Sequence, residues 1–556
     1  MLIIILPTLK TYIRMKFLPK SFTSFIFLIV SAISYAQLPE PPAGKRWVIN
    51  TQFSDEFNGT EIDRSKWSDN HISWKGRVPA KFDPSTISLG DGKLKIKNGL
   101  LKKADGEYTM KGGAVQSITN GAHYGYYEAR FKTSRIPMST TFWLSSFNIP
   151  IEGRNNQGEN CENDFYSQEL DIVEAVGGEF DKPWGKSFRN GMQFNTHIHH
   201  THCDGKREHY SKGGNAAEGD GRIADNKLPE GQEVWQDFHT YGAWWKDANN
   251  VDFYLDGKLA GSVKVSTAVT DEPFKMPMRM QMLTETYNWA TPYPTKKQFK
   301  DNTVNTSYYD WVRSYKLIDV NEDYKQTEPQ LVFNGDLENG SIYNWYGWGK
   351  TGFRKITTKN TKSGKYALHL KGSGAAEQTF AAKPNTKYIM TADIKVVSGS
   401  IGVGIKQSIE KGEVISKKFG NTDYQKIEIP FETTDARGYK IYFYAQHLTD
   451  EAFIDNVELK EVNPPKYNAT AGFEFKEKIN LQEGSIDGDT LTGKLVYMTN
   501  RDQKATLSVL DNSKKVYETT VNLKAGYGSI VIEKKDEKLK LVKNPKIELK
   551  INGIAL

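Results

Sequence analysis

The sequence predicts an all-β protein in which a large jelly-roll sandwich is followed by two smaller β-sandwiches. Short segments of alternating apolar and polar residues recur between turn signals from about residue 45 to 320. Asp91-Gly92 and Asp256-Gly257 are dipeptides typical of tight hairpins. A long amphipathic helical pattern is missing from this region, so we expect two antiparallel sheets packed face to face as a jelly roll.

Breaks in this pattern divide the chain into segments. A polar linker follows Val320, and the prolines after Asn463 interrupt the strand pattern again. Beyond that second break, lysine-rich alternating runs predict a last small β-sandwich, to which the sequence assigns no role. We therefore expect a signal peptide at residues 1–36 and domains at residues 45–320, 329–462 and 467–556.

The N-terminus has the pattern of an export signal. Basic residues up to Lys20 precede the apolar run 25–32, which is too short to span a bilayer, and small residues suit cleavage near Ala36. Translation from Met15 would give this signal an ordinary length, which leaves Met1 or Met15 as the start. We expect a secreted protein, with attachment to the cell surface left open.

Composition excludes some classes of function. The 556-residue chain has a formal net charge of +7, which becomes +3 without residues 1–36, because that segment carries four basic and no acidic side chains. So small a surplus does not indicate nucleic-acid binding. The 12 Trp and 28 Tyr suit sugar-stacking surfaces as well as β-sandwich cores. We expect a monomer that does not span a membrane.

The chain has two cysteines, Cys161 and Cys203. Export would permit a Cys161–Cys203 disulfide, which would tether two loops of the first domain. Two free thiols stay open as the alternative, because the sequence does not fix the distance between them.

Three carboxylates, Glu169, Asp171 and Glu174, stand within six residues of a β-prone segment. Side chains alternate between the two faces of a regular strand, so Glu169 and Asp171 share a face while Glu174 would lie on the other. One β-bulge at Ile172 or Val173 would bring all three acids to the same face. The outer two would then lie roughly 5–5.5 Å apart, the spacing that suits glycoside hydrolysis with retention of configuration.

Retaining hydrolysis gives each acid a role. It needs an ionised carboxylate as nucleophile, which we assign to Glu169, and a protonated carboxyl as acid/base, which we assign to Glu174. Asp171 would orient Glu169, and its charge would help to keep Glu174 protonated. The alternative is an acidic face on an edge strand, where like charges discourage aggregation.

The Glu-x-Asp-x-x-Glu pattern resembles the catalytic signature of glycoside hydrolase family 16. Further segments resemble motifs of that family and follow in its order, over about residues 45–318 of this chain. The resemblance implies a jelly-roll catalytic domain with the acids in its cleft. The matching segments are residues 53–58, 74–79, 124–130, 140–144 and 308–315.

The same resemblance implies residues that bind the sugar chain. Trp74, Trp143 and Trp289 are candidates for stacking on sugar rings, and Glu285 lies beside Trp289 in a segment that resembles an agarase loop. Arg77 has a planar fork that could hold two hydroxyls or a sulfate. Core packing for each tryptophan, and a surface ion pair for Arg77, are the alternatives. Trp311 is expected in the core.

A histidine-rich segment follows the acidic one. Family resemblance implies a histidine on the neighbouring strand that hydrogen-bonds the sugar or an acid, and we assign this role to His197, with His199 next. His197 and His199 also share a strand face, which is a spacing that could chelate zinc, but no cluster of acids or cysteines completes a convincing zinc site.

Calcium sites are implied by resemblance alone. In the first domain, Glu56, Asp310 and a backbone carbonyl near Gly92 would offer the oxygen ligands that calcium prefers. Residues 329–462 resemble a jelly-roll carbohydrate-binding module, in which Glu338 and Asp455 would hold a structural calcium. In that module the alternative is that both acids merely cap strands.

The tryptophans of the second domain suggest a function for it. Trp345 and Trp348 lie early in the segment that resembles a carbohydrate-binding module. We therefore expect residues 329–462 to bind polysaccharide by themselves.

The substrate is predicted from two short segments. The Trp-x-x-Arg-x-Pro motif at residues 74–79 resembles the branch of the family that acts on red-algal galactans. Residues 155–168 contain acids and no basic side chain, so a bound sulfate would be repelled there, which favours neutral agarose. Arg77 and the Lys206-Arg207 pair keep a sulfated galactan open.

The sequence therefore predicts a secreted, endo-acting, retaining hydrolase of β-1,4-galactosidic bonds that is most like a β-agarase. We expect no cofactor for catalysis. The enzymatic alternatives are a β-porphyranase or carrageenase acting on sulfated galactan, and a laminarinase-type β-glucanase. The non-enzymatic alternatives are a lectin-like polysaccharide-binding protein and a surface adhesion protein.

Overall fold

The structure, a computed structural model, describes residues 38–151, 164–202, 204–213, 222–223, 225–347, 353–410, 412–469, 472–551 and 554–555. The predicted signal peptide and both cysteines lie outside these residues, as does Trp348. None of the described helices is long and apolar enough to cross a bilayer. The helices are α1 (Lys186–Arg189), α2 (Lys296–Lys300) and 3₁₀ turns at Thr51–Phe53, Pro84–Thr86, Pro183–Gly185 and Glu537–Leu541.

Strands dominate the described chain, which confirms the all-β prediction. Those of the first region are β1 (Lys45–Ile49), β2 (Trp67–Ser68), β3 (Ala80–Phe82), β4 (Ile87–Leu89), β5 (Leu94–Lys97), β6 (Gly99–Asp105), β7 (Tyr108–Gly112), β8 (Ala114–Ser117), β9 (Gly125–Lys132), β10 (Ser139–Ser145), β11 (Ile149–Pro150), β12 (Phe165–Val176), β13 (Gln193–Thr201), β14 (Arg207–Gly213), β15 (Arg222–Ile223), β16 (His239–Trp245), β17 (Asn250–Leu255), β18 (Lys258–Lys264), β19 (Arg279–Leu283) and β20 (Thr306–Asp319).

Two antiparallel sheets of this region face each other. The cleft sheet has the order β14-β13-β12-β10-β19-β8-β2, and the outer sheet runs β15-β18-β17-β16-β9-β20-β1. Apolar side chains from both sheets form one buried core, for example Leu144 and Leu170 from the cleft sheet and Ala129 and Val312 from the outer sheet. Each large apolar side chain buried in this way stabilises the fold by about 1.5–3 kcal/mol.

The second region is a separate sandwich with its own core. Its two sheets have the orders β21-β22-β29-β24-β27 and β23-β28-β25-β26. The strands are β21 (Phe353–Thr357), β22 (Ala367–Lys371), β23 (Gly374–Ala381), β24 (Lys387–Ser398), β25 (Ile401–Gln407), β26 (Glu413–Phe419), β27 (Gln425–Glu432), β28 (Gly438–Ala445) and β29 (Glu451–Glu461).

The last region also forms two sheets, but one of them continues the outer sheet of the first region. In β1, Arg46 and Trp47 pair with Gly528 and Tyr527 of β34, so the order extends from β1 through β34 and β31 to β30. The other sheet is β33-β32-β35-β36. The strands are β30 (Lys478–Asp487), β31 (Thr490–Thr499), β32 (Gln503–Asp511), β33 (Lys514–Leu523), β34 (Gly526–Lys535), β35 (Pro545–Ile551) and β36 (Ile554–Ala555).

Arg46 anchors this joint. Its buried guanidinium donates hydrogen bonds to three backbone carbonyls, those of Val320 (3.1 Å), Glu322 (2.5 Å) and Ala525. These carbonyls belong to the end of the first region and to the last sandwich. Because a buried carbonyl left without a donor is costly, Arg46 holds the two regions together.

We predict that Arg46→Leu lowers the free energy of unfolding by at least about 2 kcal/mol, since three carbonyls lose their donor. Chemical denaturation measures the change, and limited proteolysis should cut faster near residues 320–328, where two of the three carbonyls lie. Arg501→Leu, an exposed position of the last sandwich, is the matched control. Equal stability of Arg46→Leu and wild type would contradict this role.

Candidate active site

Strand β12 contains a bulge at the position that the sequence predicts. Against β10, Phe142 pairs with Val173 and the next residue, Trp143, pairs with Asp171, so Ile172 is the additional residue. The pairing of β12 with β13 shifts at the same place. The bulge reverses the alternation of side chains beyond Ile172.

As a result, the three acids share one face of the cleft sheet. The side chains of alternate residues in β10 lie on one face of the cleft sheet. Each acid pairs with one of these alternate residues, so all three acids lie on that face. Leu170 and Val173 point the other way, into the buried core. The pairs are Glu169 with Ser145, Asp171 with Trp143 and Glu174 with Thr141.

Histidines of the neighbouring strands contact these acids. His197 Nε2 lies 2.9 Å from Asp171 Oδ2, and His199 Nε2 lies 3.5 Å from Glu169 Oε2. His209 of β14 is next, with its Nε2 2.6 Å from His197 Nδ1. The two histidines that share a strand face therefore pair with different acids.

The outer acids differ in their affinity for a proton. Burial raises the pKa of Glu169, but the hydrogen bond from His199 and the positive charge of His197 outweigh it and hold that pKa below its ordinary value. Burial and the charge of Asp171 raise the pKa of Glu174 to about 7, although the Tyr287 hydroxyl donates to Glu174 Oε1 at 2.6 Å. Near neutral pH, Glu169 is ionised and much of Glu174 carries a proton.

The pKa values of Asp171 and His197 are also shifted. Burial and the neighbouring Glu169 charge raise the pKa of Asp171 to about 6. Burial lowers the pKa of His197, but its hydrogen bond to Asp171 and the surrounding carboxylates outweigh this and raise it to about 9. The ligand atoms of Glu169, Asp171 and His197 lie within 4.8 Å of one another, which is compact enough for a cation. With His197 protonated, its 2.9 Å contact with Asp171 is an ion pair.

Arg77 and Glu285 lie beside the acids and contact each other. Arg77 Nε donates to Glu285 Oε2 at 2.9 Å, and Arg77 Cζ lies 5.3 Å from the ring centre of Tyr287 and 5.9 Å from that of Trp74. Burial raises the pKa of Glu285 to about 7 against the opposing charge of Arg77. The Arg77 side chain is 43% exposed, so its fork is accessible to a ligand.

Two of the predicted stacking residues lie together. Trp74 and Trp143 are partly buried and pack on a small apolar cluster of Phe82, Ala114 and Leu283. Each keeps part of its surface exposed, which suits a ring that supports a sugar.

The third predicted ring, Trp289, belongs to a group that sequence reasoning missed. It stacks on Tyr287 with ring centres 4.4 Å apart, and Trp184 lies 4.7 Å from it. Phe180 and Phe188 complete this group, and Trp184 is 45% exposed. We call Phe180, Trp184, Phe188 and Trp289 the aromatic platform. Three aromatic residues within nine positions after β12 are the available sequence signal.

The acids predicted to bind calcium in the first domain are engaged by arginines. Both oxygens of Glu56 accept hydrogen bonds from Arg313, at 2.7 and 2.9 Å. Asp310 pairs with Arg130, and Lys93 lies 4.0 Å from it. Guanidinium groups thus supply the positive charge that a calcium ion would bring, and the described residues do not fit that ion well. Calcium at this position remains a prediction.

Glu338 and Asp455 of the second region hold the same stretch of backbone. Glu338 accepts from the backbone N–H groups of Lys365 and Tyr366, and Asp455 Oδ2 accepts from those of Lys362 and Ser363. This resembles the capping role that the sequence left open, and calcium there also remains a prediction.

Trp345, one of the two tryptophans that suggested polysaccharide binding by the second domain, is not accessible to a sugar. Its ring is fully buried in the core of the second sandwich, and its indole N–H donates to the carbonyl of Asn334 at 3.0 Å. A ring without exposed surface cannot stack on a sugar. Trp311, in contrast, is buried as predicted.

The cleft sheet of this jelly roll has two carboxyl groups with opposite pKa shifts on one face, and aromatic rings lie near them. This is the arrangement of a glycosidase. Family profiles agree: one described as beta-porphyranase A-D, GH16 domain, matches residues 47–317, and one described as carbohydrate binding domain matches residues 329–452. The chain belongs to glycoside hydrolase family 16, in its porphyranase and agarase branch, and carries a carbohydrate-binding domain. This confirms the resemblance seen in the sequence.

Proteins similar in sequence to this chain include beta-porphyranases and a beta-agarase. Beta-porphyranase E of Zobellia galactanivorans is 45% identical over 50% of this chain and 92% of that protein. Beta-porphyranase B of Phocaeicola plebeius is 41% identical over 51% of this chain and 89% of that protein. Beta-agarase AgaB34 of Agarivorans albus is 27% identical over 64% of this chain and 82% of that protein.

We predict that Glu174→Gln stabilises the fold and that the gain depends on pH. Because the folded-state pKa of Glu174 is about 7, the folded protein holds this proton more tightly than the unfolded chain does. Wild type therefore loses stability as pH rises from about 4.5 to 7, whereas the glutamine variant has no such loss. Thermal unfolding at pH 5 and pH 8 should show a gain at pH 8 that is larger, by up to about 3 kcal/mol. An equal gain at both pH values would contradict the raised pKa.

Proposed function

We propose that this protein is an endo-acting, retaining β-porphyranase that hydrolyses β-1,4-galactosidic bonds of a sulfated red-algal galactan. One observation carries the proposal: Glu169 and Glu174 share a face and have opposite pKa shifts. The 45% and 41% identity to β-porphyranases, against 27% to a β-agarase, supports the choice of galactan.

The two acids divide the reaction between them. Ionised Glu169 attacks the anomeric carbon, while protonated Glu174 gives its proton to the departing glycosidic oxygen, so a glycosyl-enzyme forms as the old bond breaks. Ionised Glu174 then takes a proton from water, whose oxygen attacks the anomeric carbon and releases Glu169. These side chains supply the whole chemistry, so we propose no catalytic cofactor.

Asp171 and His197 adjust the pKa values of Glu174 and Glu169. The Asp171 charge helps to keep Glu174 protonated. Protonated His197 pairs with Asp171, and its charge favours the ionised form of Glu169. We therefore assign Asp171 an orienting role and His197 an electrostatic one.

Sugar binding falls to two groups of rings. Trp74 and Trp143 form one group, and the aromatic platform forms the other. Aromatic faces take the apolar faces of sugar rings, and two separate groups suit a substrate that spans several sugar units. This supports endo action on a polymer.

Arg77 is the proposed sulfate ligand, since its exposed guanidinium matches an anionic oxygen pair. In the sequence, the acids of residues 155–168 favour neutral agarose, but residues 155–163 lie outside the described residues. Asp164, the described acid of that segment, is buried and lies 2.7 Å from His200 Nε2. A carboxylate paired in this way would not repel a sulfate in the cleft, so this acid does not favour agarose.

Further parts of the proposal rest on sequence. We propose that the mature enzyme is secreted after cleavage near Ala36, where an extracellular polysaccharide would be met. The carbohydrate-binding domain at residues 329–452 would hold the enzyme on that polymer.

A digestion panel with product analysis tests the proposal. Purified protein is incubated with porphyran, desulfated porphyran, agarose, κ-carrageenan and laminarin. We expect the highest kcat/KM on porphyran. Glu169→Gln and Glu174→Gln should each lower turnover of porphyran about 10³-fold or more, because each removes a group used in the transition state.

Glu179→Gln is the matched control, because this exposed acid lies five residues beyond Glu174 and should leave turnover unchanged. Near-normal activity of either active-site variant would refute the assigned mechanism. Equal cleavage of desulfated porphyran or agarose would refute the sulfated substrate while leaving the mechanism intact.

A further inference from the structure

The loop that carries Trp74 and Arg77 leaves the edge of the cleft sheet. Strand β2 is the last strand of that sheet among the described residues and pairs there with β8 alone, and residues 69–79, which we call the rim loop, follow it directly. A loop that continues from an edge strand has little sheet around it to fix its position. The side chains that hold the rim loop therefore decide where Trp74 and Arg77 lie.

One of the side chains that hold the rim loop belongs to the carbohydrate-binding domain. Asp69, at the start of the rim loop, accepts a hydrogen bond from Arg437 Nε on Oδ1 and another from Arg437 Nη2 on Oδ2 at 3.3 Å. Arg64 of the first domain also donates to both oxygens of this carboxylate, at 3.0 and 2.7 Å. Two bidentate arginines fix the direction of a carboxylate as well as its distance.

The hydrogen bonds of Asp69 with Arg64 and Arg437, which we call the clamp, do not depend on protonation of Asp69 near neutral pH. Burial alone would raise the pKa of Asp69, but the hydrogen bonds from Arg64 and Arg437 outweigh it and lower this pKa to about 2. Asp69 is therefore ionised at neutral and mildly acidic pH, where both arginines stay engaged.

Backbone contacts continue the clamp toward Trp74. The carbonyl of Ile72 accepts a hydrogen bond from Ser408 Oγ, and Ile72 N–H donates to Gln116 Oε1 at 3.2 Å. A Cβ at Gly438 would lie 1.9 Å from the same Ile72 oxygen, so only glycine lets the two domains approach so closely. Lys75, next to Trp74, adds an ion pair with Glu410 at 3.2 Å.

We propose that the carbohydrate-binding domain positions the rim loop of the catalytic cleft, with Arg437 as a positioning residue for Trp74 and Arg77. This role is separate from holding the enzyme on a polymer, and it rests on the proposed function of the cleft. It explains why contacts from the second domain converge on three positions of one short loop, namely Asp69, Ile72 and Lys75, the last of which is next to Trp74.

Kinetics on a short porphyran oligosaccharide tests the proposal, because such a substrate fills the cleft without needing the second domain for capture. Arg437→Gln and Gly438→Ala should each raise KM about 3- to 10-fold with kcat changed less than about twofold, since they loosen binding residues and leave the acids in place. Arg437→Lys should restore part of the loss, because it keeps the charge without the fork. Lys417→Gln, an exposed cation on β26, is the control.

An unchanged KM of Arg437→Gln on the oligosaccharide, with a loss confined to polymer, would overturn the proposal in favour of simple tethering. Hydrogen exchange supplies a readout that needs no activity: backbone amides of residues 69–79 should exchange faster in Arg437→Gln, while those of β12 stay unchanged. Unaltered exchange in the rim loop would also overturn it. If wild type cleaves no galactan, the proposed function fails, but the exchange experiment still decides the positioning role.

Discussion

One additional residue in β12 is the constraint on which the cleft depends. Ile172 has no partner of its own in β10, and the strand alternates in the opposite sense beyond it. Without this bulge, Glu174 would point into the core, where an ionised carboxylate is costly. Because of the bulge, the Glu174 side chain lies on the cleft face. The side chains of Ile172 and Val173 lie in the core, where both are fully buried.

Crowding of charge follows from that geometry. Three carboxylates on one face repel one another and cannot all ionise easily, so the proton settles where burial is strong and compensating charge is weak. The histidines of β13 favour ionisation at Glu169, while Glu174 has only a tyrosine hydroxyl as donor among its described partners. The asymmetry of the neighbours, rather than the identity of the acids, separates a nucleophile from an acid.

Much of the geometry of the acidic strand can be predicted from the sequence. Glu174 stands five positions after Glu169, an odd separation that requires a bulge if both acids serve one site, and the alternation on either side of them predicts the strand. Other features were not readable because they depend on distant pairing. Trp345 lies in a pattern that fits a sugar-binding ring, but its burial is set by the closing of the second sandwich. The pairing of β1 with β34 joins segments almost 480 residues apart, and no local pattern encodes it. The exposure of Trp184 likewise depends on how the loop after β12 packs against Trp289.

The domains are therefore coupled more closely than their order along the chain suggests. The last sandwich extends a sheet of the first domain, and the carbohydrate-binding domain contacts the rim loop of the cleft. The central claim remains that Glu169 and Glu174 share one face of the cleft sheet and act there as nucleophile and acid/base. Proton NMR of the oligosaccharide released in the first minutes of hydrolysis tests it most directly. The account predicts that the β-anomer appears first and then mutarotates. Initial release of the α-anomer would contradict it, because inversion requires the two acids to be roughly 6.5–9.5 Å apart with a water between them.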